Sequence, residues 1–133
     1  MTEINPEIAI ERQENDISGV IIGAAIEVHK YLGPGLLESA YEECLCHELG
    51  LKGIDFKRQV LLPLNYKGLK LDCGYRLDLL VEDTVIVELK TVEAITPIHE
   101  AQMLTYLKLR DTRVGLIINF NVSLGIRMLV NDW

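Results

Sequence analysis

The sequence predicts a single α/β domain in which a mixed central sheet is flanked by helices. Three observations carry that prediction: apolar residues at helical spacing between Asp16 and Leu49, period-two alternation between Phe56 and Lys90, and a run at Val114–Phe120 that is apolar but for Asn119. A length of 133 residues suits one domain with its own core, and 49% apolar with 25% charged residues is an ordinary globular balance.

The elements follow in order. Ile17, Val20, Ile21, Ala24, Ala25 and Val28 recur at steps of three and four, so Asp16–Leu32 is expected as an amphipathic helix capped by Asp16 or Ser18. Gly33-Pro34-Gly35 breaks it. A second helix is expected from Leu36 to Leu49, with Leu37, Ala40, Tyr41, Cys44, Leu45 and Leu49 inward and Gly50 ending it. Phe56–Leu64 alternates as a strand. After a turn at Asn65–Gly68, Leu69, Leu71, Cys73, Tyr75, Leu77, Leu79 and Val81 alternate with polar residues along one long strand. Thr84–Lys90 is a third strand. Thr96 before Pro97 marks a helix start, and that helix continues to about Leu109. Val114–Phe120 is a strand buried on both faces, and Gly125–Val130 is the last strand. The order is ααβββαββ. Residues 1–15 are polar and poorly patterned, and are expected to form a flexible N-terminal arm ahead of a domain at 16–133.

Composition excludes several function classes. The most apolar early run, Val20–Ile26, is too short to span a bilayer, and no cationic segment or small-residue cleavage site flanks it. Cys44, Cys46 and Cys73 are odd in number and poorly spaced for a disulfide framework, so a reduced, cytoplasmic protein is expected. Cys44, Cys46 and His47 lie on a helix with no second ligand pair, which favours buried thiols over zinc. A formal charge of −7 counts against broad nucleic-acid affinity, although metal ions in an acidic cleft would offset it. Lys57, Arg58, Lys67, Lys70, Arg76 and Lys108 are scattered and form no basic run.

The chemistry concentrates around Glu82-Asp83. Leu77, Leu79 and Val81 share one strand face and leave Asp78 on the other; Val85, Val87 and Leu89 leave Glu88 and Lys90. A two-residue loop would set these apolar faces in conflict. A three-residue loop, Glu82-Asp83-Thr84, sets Leu79 against Val87, Val81 against Val85 and Asp78 against Glu88, so the apolar pattern alone selects that register. Two adjacent carboxylates repel and resist desolvation unless a cation balances them. Paired hard oxygens suit Mg²⁺ or Mn²⁺, with Lys90 one step along to orient water or stabilise developing charge. Taken alone, this spacing fits a solvated polar hairpin face better. Gln102 and Tyr106 share a face of the following helix, and the conjunction gives specificity.

Asp78, Glu88-Leu89-Lys90 and Gln102-Met103-Leu104-Thr105-Tyr106 together resemble the PD-(D/E)XK superfamily, in particular its recombination-exonuclease-like branch with a downstream Q-x-x-x-Y motif. Val28 through Tyr41, VHKYLGPGLLESAY, is similar to the signature of the bacterial GxxExxY family, and the resemblance covers about Ile17 to Val130. It implies a Mg²⁺-dependent nuclease acting on DNA or RNA, with Asp78, Glu88 and the Leu89 carbonyl as metal ligands. It further implies Lys90 as catalytic lysine, Glu38 as a helical glutamate facing the metal through water, and Gln102 and Tyr106 holding the scissile phosphate or positioning the lysine. The residue before Asp78 is Leu77, not the proline of the superfamily's name. From the residues alone, Glu38 and Tyr41 share a face with Glu42 beside them, and a solvated Glu38 is the plainer reading. His29 fits a helix-end cap or packing residue and is a weaker site candidate. The competing function is a nuclease-fold binding or regulatory protein with little turnover, and a homodimeric assembly would be compatible with either.

Overall fold

Ile17, Ile21, Ala24, Ala25 and Val28 fall on one helical stripe, and in the computed structural model, which describes residues 6–72 and 74–131, all five are buried. Their helix, α1 (Pro6–Leu32), begins ten residues before Asp16, so it takes in residues 6–15 of the expected arm; residues 1–5 lie outside the described residues. The apolar stripe hides this extension because Glu14 occupies an inward position: it is buried, with Oε2 4.0 Å from Nε of Arg113. Helix α2 (Glu38–Leu51) buries Tyr41, Leu45, Cys46 and Leu49 beside α1.

The sheet has the order β1 (Phe56–Leu61), β4 (Arg76–Val81), β5 (Val85–Lys90), β6 (Val114–Phe120), β7 (Leu124–Val130). Strands β5 and β6 are parallel, because helix α3 (Pro97–Arg110) carries the chain back between them; the other pairs are antiparallel. Thr96 and His99 form a capping box at the start of α3, with Pro97 in the first turn. One sheet face, including Leu79, Val81, Val85, Val87, Leu89, Leu116 and Ile118, packs on α1 and α2. The other, including Leu80, Ile86 and Ile117, packs on Met103, Tyr106 and Leu107 of α3. Every residue of β6 is buried, which is why its sequence shows no alternation. This is the mixed α/β architecture expected.

The middle of the chain differs in detail. The strand expected at Phe56–Leu64 ends at Leu61, and the long strand expected at Leu69–Val81 is two strands. Strands β2 (Leu64–Tyr66) and β3 (Leu69–Leu71) form a separate hairpin, closed where the Asn65 side chain accepts the Gly68 N–H at 3.2 Å. Asp72 then accepts the Gly74 N–H at 3.1 Å, a turn that interrupts the strand; Cys73 is outside the described residues. Period-two spacing persists through this excursion although Leu69, Leu71 and Tyr75 are exposed, so alternation alone conceals the break. Leu77 also changes sides: it clusters with Leu80 and Ile86, not with Leu79 and Val81. Among the described residues, no helix is long and apolar enough to cross a membrane.

Between α1 and α2, Gly33 (φ 68°) and Gly35 (φ 102°) take left-handed backbone that other residues adopt only with strain. Tyr41 fastens this loop. Its ring stacks on Phe120 at 4.3 Å and 4°, its hydroxyl donates to the Gly33 carbonyl at 2.6 Å, and it accepts the Leu36 N–H at 3.2 Å. Tyr41→Phe keeps the stack and strands these loop groups, so urea unfolding is expected to show a loss of about 1–3 kcal/mol. An unchanged midpoint would mean the loop is held by other means.

Candidate active site

The β4–β5 loop carries Glu82 and Asp83 at φ 51° and 54°, and the Thr84 N–H returns to the Val81 carbonyl at 3.0 Å. The register is Val81↔Val85, Leu80↔Ile86 and Leu79↔Val87, as the apolar pattern selects. One step further, Asp78 stands opposite Glu88, and side chains take the place of the backbone ladder. The Leu89 N–H donates to Asp78 Oδ2 at 2.8 Å, and the Asp78 N–H donates to Glu88 Oε1 at 3.2 Å. Strand β1 is interrupted at the same level. Arg58↔Leu79 and Val60↔Leu77 pair, while Gln59 between them has φ 50° and lies level with Asp78.

Each helical layer adds side chains to this gap. Glu88 is only 7% exposed; burial pushes its carboxyl up to about 9, the Asp78 charge pushes the same way, and Lys90 opposes both. These surroundings therefore favour the protonated form of Glu88. From α2, Glu38 is raised above the usual carboxylate range by burial, then by Asp78, with Lys90 opposing and Glu42 adding. From α3, the Tyr106 hydroxyl is raised by burial, then by the charges of Glu88, Tyr75 and Asp78, while a hydrogen bond from Gln102 opposes. Glu38, Asp78, Glu88, Lys90, Gln102 and Tyr106 thus gather at one place, although 67 residues of sequence lie between the first and the last.

Other candidates lie elsewhere. His29 Nε2 is 2.7 Å from the Asn121 carbonyl oxygen, with its ring 6.5 Å from Phe120, a packing role at the end of α1. Cys46 is buried, and burial pushes its thiol up to about 11, so it is protonated; Cys44 is half-buried. Arg58, one of the scattered cations, is engaged by Glu42 and Glu43 at 2.8 Å each.

The family model of the PD-(D/E)XK nuclease superfamily matches residues 15–129, a stretch that contains every one of the converging side chains. The chain belongs to the PD-(D/E)XK nuclease superfamily. Among solved structures, the crystal structure of SSO0001 is 14% identical with a TM-score of 0.49, and the match covers 100% of this chain and 81% of that one. No curated protein matches.

PD-(D/E)XK nucleases generally use divalent metals. Among the described residues no group of three or more His, Cys, Asp or Glu is arranged to hold a metal ion. The Asp78 and Glu88 carboxylates are hard oxygen donors side by side, which fits Mg²⁺ because that ion keeps several waters and takes one or two protein carboxylates.

Three neighbours of this cluster are not marked as site residues by the sequence: Glu42, Gln59 and Tyr75. Glu42 lies one helical turn from Glu38, a spacing that could have marked it. Gln59 gave no signal, being a polar residue on an alternating strand. Tyr75, 6.4 Å from Tyr106 between ring centres, reads in the sequence as one more alternating apolar position. Beyond Lys90, the Asn119 side chain accepts the Val92 N–H at 2.9 Å and donates to the Val92 carbonyl at 2.8 Å, and Asn121 donates to Glu93 at 3.0 Å.

The raised Glu88 carboxyl sets the sign of a pH effect. The fold binds the proton more tightly than the unfolded chain, so this contribution is complete below about 4.5 and is lost as pH rises towards about 9. In chelator, Glu88→Gln is expected to be more stable than the parent at pH 8, because the amide carries no charge to bury. The gap should close towards pH 4.5. Parallel stability curves in urea melts across that range would refute the assignment.

Proposed function

We propose that this PD-(D/E)XK protein is a divalent-metal-dependent nuclease of the GxxExxY group, hydrolysing phosphodiester bonds in DNA or RNA with Mg²⁺ as its ion. The observation that carries the reading is the opened β4–β5 step, where Asp78 and Glu88 each bond to the opposite strand and Lys90 follows at the strand end. Asp78, Glu88 and the Leu89 carbonyl would hold the ion. When bound, it supplies Lewis acidity to a phosphate oxygen and lowers the pKa of a coordinated water.

The remaining chemistry belongs to the chain's own residues. Lys90 holds the attacking water in line or faces the negative charge that builds on the phosphate. Glu38 accepts hydrogen bonds from water on the α2 side. Tyr106, kept protonated by its surroundings, donates to a phosphate oxygen, with Gln102 orienting its hydroxyl.

A second reading, a nuclease-fold binding or regulatory protein with little turnover, is favoured by the charge of −7 and by the engagement of Arg58 with two glutamates. One assay separates the two. Purified protein is incubated with single-stranded DNA, duplex DNA or RNA in Mg²⁺ or Mn²⁺, beside Asp78→Ala and Lys90→Ala. The expected result is metal-dependent cleavage that falls at least ~100-fold in both variants. Cleavage that survives both substitutions would remove these residues from the mechanism, and binding without cleavage would favour the second reading.

A further inference from the structure

A non-glycine residue with left-handed backbone inside a strand is uncommon and strained, and it persists where its surroundings over-determine it. Gln59 is such a residue, at φ 50° in β1. Its register is unbroken on either side, so the twist does not absorb an inserted residue; it redirects one side chain. Arg76 lies on its other side, with Nη1 3.5 Å from the Gln59 carbonyl oxygen.

What the side chain reaches explains the distortion. Gln59 Nε2 is 2.8 Å from Glu42 Oε1 and 3.5 Å from Asp78 Oδ1, the second distance at the outer edge of a hydrogen bond. Both neighbours are carboxylates, so the amide must turn its two N–H donors towards them. Glu42 is a fixed anchor: it is buried, and its other oxygen takes the Arg58 guanidinium at 2.8 and 3.3 Å. Asp78 Oδ2 is already held by the Leu89 N–H at 2.8 Å. The carboxylate is therefore addressed at both oxygens, from β5 at one and from Gln59 of β1 at the other. An amide there adds no charge to Asp78, whereas a third carboxylate would repel it.

We propose that Gln59 is a positioning residue that orients the Asp78 carboxylate for its ligand by bridging it to the anchored Glu42. The proposal rests on the reading of Asp78 as a metal ligand. Outer-shell partners of this kind alter metal affinity by roughly 10–100-fold when removed.

Gln59→Gly separates positioning from a strut, because it removes the bridge and relieves the backbone strain together. Expected are a melting temperature equal to or above that of the parent, a Mn²⁺ dissociation constant raised roughly 10–100-fold by calorimetry, and partial recovery in Gln59→Asn, which tolerates left-handed backbone. A lowered melting temperature with unchanged Mn²⁺ affinity would overturn the proposal. Failure of the parent itself to bind Mn²⁺ would instead remove the metal reading, and metal-free crystals of Gln59→Gly then decide the point. Loss of the Asp78 contact to the Leu89 N–H would uphold the orienting role; an undisturbed carboxylate would end it.

Discussion

Two carboxylates, one buried and one half-buried, share a gap between strands. That single constraint accounts for much of the local architecture. An ordinary ladder step at Asp78 and Glu88 would have pointed both groups away from the backbone and left their repulsion unanswered. Instead each carboxylate accepts an N–H from the strand opposite, which offsets part of the desolvation cost and holds the strands at their separation. Apolar packing on both faces, through Leu79, Val87 and Leu89 on one and Leu80 and Ile86 on the other, keeps that separation from relaxing.

The helical layers then act as two walls with different chemistry. The α2 wall is acidic, presenting Glu38 and Glu42, while the α3 wall presents a hydroxyl and an amide from Tyr106 and Gln102. The run Gly35-x-x-Glu38-x-x-Tyr41 has a physical logic in this setting. Gly35 permits the turn, Tyr41 ties the loop to the helix and to Phe120, and Glu38 between them begins the helix beside Asp78. One residue faces the acidic cluster and the other two hold it there.

Much of this arrangement was legible in the chain because β-sheet register obeys parity. The apolar residues flanking Glu82–Thr84 admit only an odd loop, and the observed pairing of Leu79 with Val87 follows from that alone. The site was also legible where a residue type is costly to bury, as with Glu88. What escaped lies where periodicity carries no information. The β2–β3 hairpin keeps alternating while leaving the sheet, Glu14 breaks an apolar stripe without breaking the helix, and Leu77 changes face at a distorted step. Gln59 is the extreme case, since its place depends on a backbone twist that no local pattern encodes.

The Asn119 side chain has a consequence for whatever binds. By pairing with both polar groups of Val92, it continues the edge of β5 for two residues past Lys90, as a third strand would. Asn121 and His29 extend the same stitching to Glu93 and to the end of α1. The main chain leaving Lys90 is therefore ordered as part of folding. A ligand arriving there meets a lysine whose backbone freedom is already gone, and only the side chain's own rotations remain to be lost on association.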